Sequence, residues 1–122
     1  LREVAQVIRD NVRRVDVIGR YGGEEFVVVA PEIEKKRGFE LAERIRSAVA
    51  RKRFRLYDEE TQVTVSIGLS SFPEDLQGQK TIEISEASVV SLIEKADQAL
   101  YRAKEEGRNR VVAFGSGTNG NV

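Results

Sequence analysis

Apolar positions recur at intervals of three and four over residues 1–12, where Leu1, Val4, Ala5, Ile8 and Val12 mark one face of an amphipathic helix. No Ser, Thr, Asp or Asn precedes Leu1 as a cap, so this helix is expected to begin upstream. Strand-like runs then replace the helical period. Residues 15–21 and 25–30 read as two strands joined at Gly22-Gly23, a pair suited to the positive φ angles of a tight hairpin turn, and Pro31 ends the second strand. Residues 32–37 form a charged connector. A second helix is expected over 38–53, with Phe39, Ala42, Ile45 and Val49 as its buried stripe. Another hairpin follows: a strand at 54–57, a turn at 58–60, and a long β-branched strand at 61–72 with Val63, Val65, Ile67 and Leu69 on one face.

The stretch 73–81, with Pro, Asp, Gly and two Gln residues, reads as a surface loop. Ser85 suits the N-cap of a long helix reaching Glu106, striped by Val89, Leu92, Ile93, Ala96, Leu100 and Ala103 and stopped by Gly107. A short strand at 111–114 and a small, polar tail at 115–122, expected to be disordered, complete the order. A chain of 122 residues is long enough for one domain with its own core, placed here at 1–114. Its alternation of helices and strands predicts an α+β architecture, with helices packed on a mainly antiparallel sheet.

Composition narrows the chemistry. Hydrophobic residues at 40% and charged residues at 33% describe a soluble globular chain. With no run of eighteen apolar residues and no signal peptide, a cytoplasmic location without membrane contact is the default expectation. The absence of cysteine and histidine excludes a zinc site of the usual kind, a disulfide and a histidine-based triad. Twenty basic and twenty acidic residues give no net attraction for nucleic acid. Chemistry therefore falls to carboxylates, lysine, arginine and hydroxyls.

Those groups converge on Arg20-Tyr21-Gly22-Gly23-Glu24-Glu25-Phe26. Two adjacent carboxylates at a hairpin tip repel unless they are solvated, protonated or neutralised by a cation. Mg2+ or Mn2+ would take such hard oxygen ligands, and Mg2+ typically combines one or two carboxylates with substrate phosphates. A nucleotide-phosphate site and a solvated acidic turn are both open at this point. Lys104 and Arg108 read equally as helix-end cations that suit the dipole, and Arg13 with Asp16 as a surface ion pair.

The heptapeptide resembles the signature of the GGDEF domain of diguanylate cyclases, with Glu in place of the usual Asp at its third position, a variant also found in active members. Three further blocks resemble that family in order: Ala42-Glu43-Arg44-Ile45-Arg46, Val65-Ser66-Ile67-Gly68, and Ala96-Asp97-Gln98-Ala99-Leu100-Tyr101-Arg102-Ala103-Lys104 with Gly107-Arg108-Asn109. The resemblance extends to about Phe114. It implies a palm-like, nucleotidyl-cyclase type of fold and the condensation of two GTP to cyclic di-GMP with release of pyrophosphate, one GTP on each domain of a facing homodimer. By the same resemblance, Gly22 and Gly23 let the backbone approach the nucleotide, Glu24 serves as metal ligand and general base, and Glu25 helps hold a second metal. Lys104 and Arg108 match the triphosphate contacts. Arg13, Asp16 and Arg44 match an inhibitory site for the product, whose phosphates and guanines suit the planar fork of arginine.

The family's N-terminal strand, with an Asp metal ligand, and the Phe-Lys, Asn and Asp positions that follow have no counterpart in these residues. The resemblance thus implies a partial domain without its first strand, folding poorly and inactive alone, and an intact protein with an N-terminal sensory or receiver domain. A catalytically silent receptor for cyclic di-GMP, reading the nucleotide through Arg13, Asp16 and Arg44, is the alternative. A dimerisation element of a larger sensor is a third reading.

Overall fold

In this computed structural model, which describes residues 2–76 and 85–116, the order is α1 (Arg2–Asn11), β1 (Val17–Gly22), β2 (Glu25–Val29), α2 (Lys35–Arg51), β3 (Phe54–Leu56), β4 (Glu59–Thr61), β5 (Ile67–Leu69), a 3-10 turn (Glu74–Leu76), α3 (Glu86–Glu105) and β6 (Val111–Ala113). The α+β expectation holds. The strands form three two-stranded ladders, of which β1–β2 and β3–β4 are antiparallel and β5–β6 is parallel.

Alternation along β5 sets the layers. Ile67 packs with the buried Ile8, Leu41 and Ile45 of α1 and α2, and Leu69 reaches toward Gly38 of α2. Gly68 points the other way, because successive strand residues face opposite sides. A Cβ on Gly68 would lie 2.0 Å from the Ala96 carbonyl oxygen and 2.3 Å from the Leu100 amide nitrogen, so α3 sits directly on the β5 backbone. Ala99 and Ala103 pack with Val112 of β6 and complete that close contact. The core thus lies on both sides of the β5–β6 ladder. The β1–β2 hairpin joins it through Ile18, Phe26 and Val28, which pack against the α1–α2 pair.

Several elements differ from the pattern-based expectation, each for a packing reason. Helix α2 starts at Lys35, three residues before Gly38, because Lys35, Lys36 and Arg37 are good helix formers and Gly38 already donates its N–H to Glu34 O at 2.8 Å. Its buried stripe carries Leu41 where Phe39 was expected; Phe39 is 38% exposed. On α1, Val7 joins Ile8 in the core, Ala5 is only partly buried, and Leu1 lies outside the described residues. The long strand at 61–72 divides in two: Thr61 ends β4, which pairs with β3 across a Tyr57-Asp58 turn, whereas Ile67 begins β5, whose partner is β6. Glu59 and Glu60 are strand residues, and Tyr57 supplies the turn's positive φ of 56°.

On α3 the Ser85 cap holds, with its hydroxyl accepting the Ser88 N–H at 3.2 Å. Val89 is nonetheless 43% exposed, and Ser88 is buried in its place. The expected loop at 73–81 opens with the 3-10 turn that buries Leu76, and 77–81 lie outside the described residues. Of the tail, Gly115 and Ser116 are ordered: Ser116 donates its N–H and hydroxyl to Ala113 O and accepts from Arg102 Nη1 at 2.6 Å. Residues 117–122 are outside the description. Among the described residues no helix is long and apolar enough to cross a membrane.

Candidate functional site

The β1–β2 hairpin carries chemistry at both ends. Its register runs Val17↔Val29, Ile18↔Val28, Gly19↔Val27 and Arg20↔Phe26, then shifts so that Gly22 faces Glu25. The extra residue, Tyr21, makes a bulge of the kind that bends a strand and re-aims its side chains. The two turn residues are therefore Gly23 and Glu24, in place of the expected Gly22-Gly23, and only Gly23 has positive φ, at 42°. Glu24 stands exposed at the apex, and Glu25 opens β2 half-buried. A Cβ built at Gly19, Gly22 or Gly23 would meet nothing within 4 Å, so the flank of the hairpin is open to a ligand.

Arg20 closes the apex from within the ladder. Its guanidinium donates to Gly23 O from Nε at 3.2 Å and from Nη2 at 2.9 Å, and it lies 6.0 Å over the Phe26 ring. In the sequence, Arg20 stands out only as part of the signature. Its signal was an arginine three residues ahead of the turn carbonyl, with an aromatic directly opposite.

The side chains of Glu24 and Glu25 take part in none of the described hydrogen bonds or ion pairs. Among the described residues no group of three or more acidic side chains could hold a metal ion. Two adjacent carboxylates with no described partner, Glu24 exposed and Glu25 half-buried, are the complement that Mg2+ takes together with phosphate oxygens, so the donor set fits a divalent cation shared with a nucleotide.

Lys104 lies exposed in the last turn of α3, and Arg108 lies beyond the helix, past the Glu106 cap, where it had been expected near the helix end. The termination is a Schellman motif: Arg108 N–H reaches Ala103 O at 2.9 Å and Gly107 N–H reaches Lys104 O at 3.4 Å. Gly107, Arg108 and Asn109 have φ of 125°, 65° and 48°. For residues with a Cβ such left-handed backbone costs about 1–2 kcal/mol each. Asn109 anchors the loop by donating its N–H to Ser66 Oγ at 3.2 Å and accepting from Arg46 Nη1 at 2.8 Å. Arg46 is itself gripped by Glu43 at 2.8 and 2.6 Å. That hydrogen bond holds the Glu43 carboxyl below its ordinary value, against the upward push of burial. Three separate sequence blocks meet here. No described hydrogen bond or ion pair joins the hairpin carboxylates to Lys104 or Arg108.

At the root of the hairpin, Asp16 has a side chain 0% exposed, which rules out a mere surface pair. It accepts from Arg13 Nε at 3.0 Å, from Arg13 Nη2 at 2.8 Å and from the Arg13 N–H at 2.7 Å. Arg13 Nη2 also donates to Pro31 O at 2.7 Å, stapling the helix-to-strand link to the end of β2. Burial pushes the Asp16 carboxyl up, but the hydrogen bonds from Arg13 and the charges of Arg13 and Arg44 outweigh it and leave it below its ordinary value. Exposed Arg44 donates to Asn11 O at the C-terminus of α1, at 2.6 Å. The three residues therefore do share one patch.

Residues 1–110 match the family model described as "Diguanylate cyclase, GGDEF domain". Among curated relatives, "Diguanylate cyclase A" of Treponema denticola is 40% identical over 111 residues, 91% of this chain and 27% of its own length. "Diguanylate cyclase DgcP" of Pseudomonas aeruginosa is 38% identical over 91% of this chain and 15% of its own length. The chain thus spans under a third of either relative. Among solved structures, the GGDEF domain of DgcB from Caulobacter crescentus in complex with c-di-GMP superposes with a TM-score of 0.77 at 33% identity, covering 94% of this chain and 63% of that one. The active GGEEF domain of a diguanylate cyclase from Vibrio cholerae gives 0.73 at 28% identity, covering 96% and 67%.

Proposed function

This chain belongs to the GGDEF domain family of diguanylate cyclases, and from that membership and the geometry of its hairpin we propose that it condenses two GTP to cyclic di-GMP with release of pyrophosphate. The observation that carries the reading is the hairpin apex, where uncompensated Glu24 and Glu25 stand beside open space at Gly22 and Gly23. GTP lies along that flank, its phosphates approaching the glycine backbone. Lys104 and Arg108, whose side chains have no described partner, neutralise the triphosphate. Glu24 takes the proton of the attacking 3′ hydroxyl as it adds to the α-phosphorus of the second GTP, and pyrophosphate leaves in line. The reciprocal attack, from the second GTP's 3′ hydroxyl, closes the ring and releases the second pyrophosphate. Glu24 and Glu25 would hold Mg2+ or Mn2+, which when bound supplies charge neutralisation and polarises the phosphate. Each of two facing domains carries one GTP, so the working unit is a homodimer.

Arg13, Asp16 and Arg44 form the proposed inhibitory site for cyclic di-GMP. Asp16 is too buried to touch the ligand. It acts by fixing the Arg13 guanidinium edge-on, which leaves Arg13 Nη1 and the exposed Arg44 for the product's phosphates and guanines. Product there holds the two domains apart and slows synthesis, provided that it prefers the separated state.

Radiolabelled GTP with Mg2+, incubated with the intact protein, is the test: cyclic di-GMP is the expected product. Binding of cyclic di-GMP with no turnover would replace this reading with the receptor. Arg13→Ala should weaken product inhibition and leave the initial rate unchanged; inhibition of wild-type strength would remove the patch from that role.

A further inference from the structure

Gly107, Arg108 and Asn109 hold three successive positive φ angles directly after α3. Glycine adopts such backbone freely and asparagine tolerates it, but Arg108 has a Cβ and no short polar side chain to compensate. Strain of this sort persists only where the surroundings over-determine it. The surroundings are two tethers on the next residue: the Asn109 N–H to Ser66 Oγ at 3.2 Å, and Arg46 Nη1 to Asn109 Oδ1 at 2.8 Å. Arg46 turns Nη1 toward Asn109 while Glu43 holds its Nε and Nη2.

We infer that Arg46, Ser66 and Asn109 are positioning residues for Arg108, holding its strained backbone so that its guanidinium, which has no described partner, faces an incoming triphosphate. The inference rests on the cyclase reading above, in which Arg108 meets phosphate. The tethers come from α2 and from the segment ahead of β5, two elements of the packed core, so the loop inherits the rigidity of that core. Arg46 acts through loop geometry, with each of its three nitrogens donating to Glu43 or Asn109. Asparagine suits position 109 for a second reason: its carbonyl accepts from Arg46 without setting a negative charge beside the phosphate site.

Steady-state GTP turnover of the intact protein, read together with its thermal midpoint, tests this. Asn109→Ala should raise KM for GTP about tenfold with kcat changed far less, the pattern of lost substrate binding. In an Arg108→Ala background the same change should raise KM no further, because the positioned group is gone. Asn109→Gly guards against misfolding: it relieves the left-handed strain, keeps the fold, and should still raise KM because the Arg46 tether is lost. Arg46→Lys should fall between, keeping charge but losing the fork. A lowered thermal midpoint with unchanged KM would make the three residues purely structural, and equal effects with and without Arg108 would sever the link to it; either result overturns the inference. Absence of turnover in the unmutated protein is a separate failure, that of the cyclase reading, and appears before any variant is made.

Discussion

The two ends of the β1–β2 hairpin use the same residue types to opposite effect. At the root, the Asp16 carboxylate is fully buried and its oxygens are taken by Arg13, whose guanidinium also binds Pro31 O. At the tip, Glu24 is exposed and Glu25 half-buried, neither with a described cation, and the nearby Arg20 spends its guanidinium on the Gly23 carbonyl. Burial explains the difference. A carboxylate removed from water has to be paired, so the fold satisfies Asp16 completely; one left in water can stay uncompensated and available. The root therefore stabilises the fold, and the tip carries charge that no described group neutralises.

The largest expected effect breaks the tip. Glu24→Gln in the intact protein should lower turnover by roughly 10²–10⁴, the range for losing a general base, with the thermal midpoint unmoved because Glu24 supports no described contact. Retained turnover would remove Glu24 from the proton-transfer role. Asp16→Ala breaks the root and should invert the pattern, destabilising the domain by about 2 kcal/mol through loss of charge-assisted hydrogen bonds, a figure moderated by the partial exposure of Arg13. Denaturant unfolding measures it.

Acid sharpens the contrast. The folded-state pKa of Asp16 is depressed, so its contribution to stability is full above the unfolded value of about 3.9 and fades as pH falls through the lower folded value. Acid unfolding of the Asp16→Ala variant should lack that component. The smallest effects separate the two glycines. Gly23→Ala forces a Cβ into positive φ and should cost about 1 kcal/mol, whereas Gly22→Ala should alter stability by less than about 0.5 kcal/mol yet weaken GTP binding by placing a methyl in the open flank. Equal stability losses at both positions would show that the bulge, and not φ, governs the turn.

Much of this was legible in the residues. Periodicity located the three helices of the described residues and the signature hairpin, and Ser85 and Gly107 marked the ends of α3 because capping chemistry is local. Strand partners were less legible. The run 61–72 keeps one alternation of apolar with polar or small residues from Val63 to Leu69, so nothing along it marks where pairing with β3 stops and pairing with β6 begins. Phe39 looked like core because it is large and in phase, but the space beneath α2 is filled by Leu41 instead. The site shows the same division. Glu24, Glu25, Lys104 and Arg108 could be named from their motifs, whereas Arg20, Arg46 and Ser66 acquire roles only through partners elsewhere in the chain.

By itself the sequence determined what is local: helix periods, caps, the glycine turn and the residue types able to handle phosphate, since these depend on neighbours within about four positions. Tertiary structure alone decided which carboxylate is neutralised and which is left bare, why Gly68 admits no side chain beneath α3, and how a loop forty-three residues from Ser66 is tied to it. Those outcomes follow from burial and from contacts between distant segments, and both come into being only when the helices close over the β5–β6 ladder.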